Sequence, residues 1–157
     1  MDSGIRIHQS VVMAFDDMKI RKANQTRKKF LRLILSDDEQ YIVLDNEIDH
    51  QQQTSEDGFM QLLKLLKPKS CCYIIYDVCY ETKDSLVKED LLLIQWCPTD
   101  SGIKEKFQFT ATKKVLKDTL GGFKGELQLT DFSDIQRNSI AEKLGNDIMK
   151  IEGKSLN

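Results

Sequence analysis

Two segments, CCYIIYDVCYE at positions 71–81 and DLLLIQW at 90–96, are apolar at odd and even positions alike. Successive side chains of a strand point to opposite faces, so a strand apolar on both must be covered on both. The charged TKDSLVKE between them reads as a hairpin tip. Helical patterns lie on either side in sequence. Val11, Ala14, Phe15 and Met18 follow the polar HQS, which can cap a first helix, and Phe59, Leu62, Leu63 and Leu66 form a second helix stopped by Pro68. Two doubly covered strands with helices before and after them imply an α/β (α+β) fold, a central mixed sheet with helices on both faces.

The other segments fit around this centre. FLRLILS is strand-like, Asp37, Asp38 and Glu39 form a turn, and YIVLDNEI is the partner strand. The basic KIRKANQTRKK and the polar HQQQTSED read as exposed connections. After Trp96 the chain turns at Pro98 and through Asp100, Ser101 and Gly102, and a long helix runs to Leu120, closed by Gly121 and Gly122. GELQLT is a short strand. Ser133 and Gln136 have the spacing of a capping box for a final helix carrying Ile140, Leu144 and Ile148.

The long helix has two rows. Phe109, Leu116 and Leu120, seven and then four residues apart, share one side and face a core. Lys106, Lys113 and Lys117 repeat that spacing on a neighbouring row, with Phe107 nearer the lysines than the core. One side packs; the other is basic with an apolar residue beside it.

A chain of 157 residues, 40% hydrophobic and 31% charged, is expected to form one domain over 1–157 with a core over about 4–150. The formal net charge of -2 argues against nucleic acid as a partner and leaves room only for local anion recognition. The start lacks a secretory leader and no run is long enough to span a membrane, so the expected location is the cytoplasm. Cys71, Cys72, Cys79 and Cys97 contain no CxxC pair and neither His8 nor His50 lies near them, which leaves no metal site in view. Cys71 and Cys72, adjacent in a strand, point to opposite faces and read as small buried hydrophobes. No nucleophile, base and orienting acid come together from the sequence, so an enzyme is not expected and no cofactor is implied.

The tail DSGI, the segment DDMKIRK, the strand LILSDD, the run YIIYDVCYETKDSLVKEDLLLIQWCP, the helix KEKFQFTATKKVLKDTL and the ending IAEKLG occur in that order. As a set, they resemble the actin-depolymerising factor and cofilin family over nearly the whole chain, from about Ser3 to Gly145. The resemblance implies a single actin-depolymerising-factor-homology domain and a monomer. It also implies binding to actin monomers and to filament sides, promoting depolymerisation and severing. An alternative on the same fold is an adaptor similar to glia maturation factor or coactosin.

Carried over by position, the resemblance assigns the actin-monomer surface to Ser3, Gly4, Lys104, Lys106, Phe107, Lys113 and Lys117. It assigns a filament surface to Lys88 and Asp90 of the hairpin tip and to Glu142 and Lys143 of the last helix. Ser3 resembles the serine that kinases phosphorylate in the family, and the same lysines are implied as a phosphoinositide site. The sequence departs from the family pattern at Lys114, Asp118 and Asn146. RKANQTRKKF is shorter than the vertebrate segment that carries a nuclear import signal, so nuclear entry by that route is not implied; location at the cytoskeleton is.

Overall fold

The computed structural model describes residues 3–20, 29–47 and 57–156. Its centre is the expected pair, β4 (Cys72–Thr82) and β5 (Val87–Trp96), antiparallel in continuous register from Cys72 opposite Trp96 to Glu81 opposite Val87. Around it lie β1 (Arg6–Ile7), β2 (Phe30–Leu35), β3 (Tyr41–Leu44) and β6 (Gly125–Leu129), in the order β1-β3-β2-β4-β5-β6. β1 runs parallel to β3 and β6 parallel to β5, while the remaining neighbours are antiparallel, so the sheet is mixed.

β4 is longer than any one neighbour can cover on its second edge. Its first half, Tyr73 to Tyr76, pairs with β2, and its far end, Tyr80 to Thr82, pairs with β7 (Ile148–Ile151), which in turn pairs with β8 (Lys154–Ser155). Cys72, Ile74, Tyr76, Val78 and Tyr80 enter one core and Cys71, Tyr73 and Ile75 the other, the two-residue alternation of a strand buried on both faces.

Helices α1 (Gln9–Lys19) and α3 (Ile103–Leu120) cover one face, contributing Val11, Phe15, Met18, Phe109, Leu116 and Leu120. Helices α2 (Gly58–Leu65) and α4 (Arg137–Leu144) cover the other with Phe59, Leu62, Ile140, Ala141 and Leu144. The cap expected of HQS is present: His8 Nδ1 accepts the Ser10 backbone N–H at 3.1 Å. Gly125 opens β6 because α4 passes close by. A Cβ there would meet the Lys143 carbonyl oxygen at 2.9 Å, closer than side chains tolerate.

Three expectations need correction. Ile148 is not in the last helix: α4 stops at Leu144, and Ile148 begins β7, where it pairs with Thr82. Ser133 and Gln136 form no capping box. Asp131 accepts the Ser133 N–H at 2.9 Å at the head of a short 3-10 turn, Phe132–Asp134, and Gln136 precedes α4 without a side-chain cap. The strand in YIVLDNEI is shorter than expected, ending at Leu44, and Asp45 turns inward to meet Arg32 in a buried pair at 2.6 Å. The connections expected over 21–28 and 50–56 lie outside the described residues.

Candidate functional site

α3 is held at both ends and along one side. At its head Ser101 Oγ donates to Pro98 O at 2.5 Å and its backbone N–H also reaches Pro98 O, at 3.0 Å, which tightens the turn out of β5. Glu105 in the first turn accepts the Cys71 backbone N–H at 2.8 Å and fastens the helix to the start of β4. Buried Phe109, Thr112, Leu116 and Leu120 form the inner row, and the Tyr73 hydroxyl donates to the Phe109 carbonyl. At the far end Gly121, at φ 66, takes a positive-φ conformation that glycine adopts without a Cβ penalty, and its N–H returns to Lys117 O at 2.9 Å.

The outer side carries the residues assigned from sequence. Phe107 is 51% exposed, and Ile103, one turn earlier, is 87% exposed. Ile103 was not among the expected site residues, although its i−4 spacing from Phe107 is legible in the sequence. Around this apolar pair, Lys104 pairs with Glu39 at 3.3 Å and Lys106 Nζ donates to Thr99 O at 2.8 Å. Gln108 also donates to Glu39, at 2.9 Å; these two contacts, Gln108 first, hold the Glu39 carboxyl below the usual range.

Lys113 and Lys117, further along, share one carboxylate: Glu126 of β6 lies 3.7 Å from the first ammonium and 3.1 Å from the second. Burial pushes the Glu126 carboxyl up, but the two lysines outweigh it and the net shift is downward. These two lysines are therefore aligned by one carboxylate of the same chain. Glu39 and Glu126 escape sequence reasoning because both are far from α3 in the chain, the first in the turn between β2 and β3 and the second in β6.

Ser3 meets the same helix. Its Oγ lies 2.7 Å from Thr112 Oγ1, and since Thr112 donates its own proton to Gln108 O at 2.6 Å, Ser3 is the donor between the two. The Ile5 N–H returns to Ser3 Oγ at 3.2 Å, and the Ile5 side chain is buried in the α1/α3 core. Ser3 and Gly4 are thus anchored beside the middle of α3, where the contacted Thr112 immediately precedes Lys113.

The hairpin tip and α4 form a separate region. β5 begins at Val87, so Lys88 and Asp90, expected in the tip, stand instead in the β4–β5 ladder just below it: Lys88 is exposed opposite Tyr80, while Asp90 accepts the Tyr80 hydroxyl and is partly buried. Glu142 and Lys143 face solvent on α4. The Lys83 N–H donates to Asp147 O at 2.8 Å, which ties the tip to the segment just beyond α4. Among the described residues no group of three or more His, Cys, Asp or Glu side chains could hold a metal ion, and no helix is long and apolar enough to cross a membrane.

Residues 4–145 match the family described as cofilin/tropomyosin-type actin-binding protein. The chain belongs to this family. Among solved structures, it is similar to actin depolymerization factor 2 of Plasmodium berghei, at 24% identity over 93% of this chain and 100% of that one, with a TM-score of 0.77. A cofilin from Streptomyces griseoflavus aligns at 20% identity over 92% of this chain and 99% of that one, with a TM-score of 0.73. A coactosin from Entamoeba histolytica aligns at 17% over 90% and 95%, with a TM-score of 0.71. At these identities the neighbours establish the fold, which an actin depolymerization factor, a cofilin and a coactosin all share.

Proposed function

We propose that this actin-binding-family protein binds the actin monomer through Ser3, Gly4, Lys104, Lys106, Phe107, Lys113 and Lys117, with Ile103 added as a second apolar anchor. The observation that carries this reading is the exposed Ile103–Phe107 pair ringed by lysines on a helix whose opposite side is locked into the core. An exposed aromatic that a partner can bury, beside cations that complement an acidic surface, is the composition of an interface hot spot. Lys88, Asp90, Glu142 and Lys143 form the filament-binding region, with the side of the filament as the second partner. Asp90 acts there by positioning Tyr80 and the tip.

Binding that favours one filament geometry over another shifts subunits toward it through differential affinity alone, and depolymerisation and severing follow without turnover of any substrate. The lysines of α3 also serve phosphoinositide headgroups, which then compete with actin for the same charges. Phosphorylation of Ser3 by a kinase adds about -1.5 to -2 charges at a hydroxyl packed against buried Thr112, so the tail has to leave its seat and binding weakens. The protein acts in the cytoplasm at the actin cytoskeleton.

Co-sedimentation with purified filaments tests the reading. Actin released to the supernatant, with the protein bound to what remains, is the expected result. Protein that pellets with filaments left intact would shift the assignment to the adaptor type, and protein that stays in the supernatant with actin unchanged would overturn it.

A further inference from the structure

Cys72 and Trp96 are opposite each other at the end of the β4–β5 ladder, so Cys71 and Cys97 are the next residues outward, and both side chains enter the core under α3. Their backbones do not exchange hydrogen bonds: the Cys71 N–H goes to Glu105 and the Cys97 N–H to Leu129 O of β6. That is the non-hydrogen-bonded kind of antiparallel pair, in which Cα atoms lie about 4.5 Å apart and side chains are closest. A disulfide spans Cα separations of roughly 4.4–6.8 Å.

The surroundings distinguish the two sulfurs. Gln95 Nε2 lies 3.6 Å from Cys97 Sγ and donates to it, while Cys71 Sγ lies 3.4 Å from Ser101 Oγ, whose proton is spent on Pro98 O. The Cys71 thiol next to Cys97, together with Gln95, draws the Cys97 thiol below its usual value against the opposing effect of burial. The Cys97 contact and burial push Cys71 up. Cys79 on β4 is the more exposed of the described thiols, yet burial followed by the nearby Glu152 carboxylate pushes it up.

We propose that Cys71 and Cys97 form a dithiol oxidation site that a peroxide converts to an intramolecular disulfide, with Cys97 as the sulfur oxidised first. The Cys97 thiolate attacks one peroxide oxygen; an S–O bond forms, the O–O bond breaks, and the departing hydroxide takes a proton to leave as water. Cys71 then attacks the Cys97 sulfenic sulfur, the S–S bond forms, the S–O bond breaks, and the Cys71 proton leaves with the hydroxyl as a second water. Two thiols are oxidised and one peroxide is reduced. The bond would join the start of β4 to the residue preceding the Pro98 turn, the two points from which the head of α3 is hung.

The test is to treat the full chain at neutral pH with hydrogen peroxide, block the remaining thiols with iodoacetamide, digest with trypsin without reductant and map the peptides. The expected product joins the 70–83 peptide, which carries Cys71, Cys72 and Cys79, to the 89–104 peptide carrying Cys97, with fragmentation placing the link at Cys71, the loss of two of the four alkylatable thiols and recovery of both on adding dithiothreitol. Cys72→Ser should preserve the link. Cys71→Ser should abolish it and leave Cys97 as a sulfenic acid that dimedone traps. Oxidation confined to Cys79, or Cys71 and Cys97 both still alkylated after unfolding of the treated wild-type protein, would overturn the proposal without reference to any variant.

Discussion

Phe107→Ala separates binding from folding. Phe107 is 51% exposed on a helix whose inner row does not include it. A fully buried phenylalanine removes about 150–250 Å² from water, so roughly 100 Å² of this side chain remains for a partner to cover. At about 25 cal/mol per Å² its truncation costs about 2.5 kcal/mol of binding, a loss of monomer affinity between about 10-fold and 100-fold. Alanine is the better helix former and a surface change of this kind moves stability by within about 0.5 kcal/mol, so the melting curve should stay native. The assay is calorimetric titration with monomeric actin, run beside thermal melts of both proteins. A loss under about twofold with a native melt would refute the argument that this face is the anchor.

Lys113→Ala combined with Lys117→Ala should remove monomer binding while the fold persists, because Glu126 is then left at the surface, 39% exposed, where it can be solvated; wild-type affinity with a native melt would sink the lysine assignment. Ser3→Glu should weaken actin binding, since a carboxylate cannot repeat the hydroxyl donation to Thr112 and adds negative charge; unchanged affinity in the same titration would place the tail outside the interface. Asp57 caps α2 and is held by Arg137 at 2.9 Å and Lys154 at 3.1 Å, which outweigh the effect of burial and bring its carboxyl from 3.8 down to about 2. A folded-state value below the unfolded one contributes stability that is present above about pH 4 and lost as pH falls towards 2, here about 2 kcal/mol. Urea titrations from pH 5 to pH 2 should show that loss in the wild type and a flatter profile in Asp57→Asn; parallel profiles would rule out Asp57 as a source of the acid sensitivity.

The reach of sequence reasoning differs from element to element. Residues 71–81 and 90–96 announced two strands covered on both sides because apolarity on both the odd and the even positions is a local property, and the two helical layers followed from it. The outer row of α3 was legible for the same reason: spacing along one helix decides which side chains share a face, so Phe107 and the lysines could be placed without knowing what lay opposite. Ile103 obeys that rule as well and could have been found.

The last helix shows where the rule fails. Ile148 stands four residues after Leu144 and fits helical spacing, but it also suits the first residue of a strand, and the free edge of β4 at Tyr80 to Thr82 claims it. The partner of Lys113 and Lys117 was equally hidden, because Glu126 reaches them only once β6 lies parallel to β5 beneath α3. The sequence by itself determined the doubly covered strands, the faces of α1, α2 and α3, and the family, since each is carried by neighbours along the chain. Only the tertiary structure decided that Ser3 rests on Thr112, that one carboxylate aligns two lysines and that Cys71 faces Cys97. Those contacts join residues far apart in sequence, and their geometry exists only after the sheet has assembled.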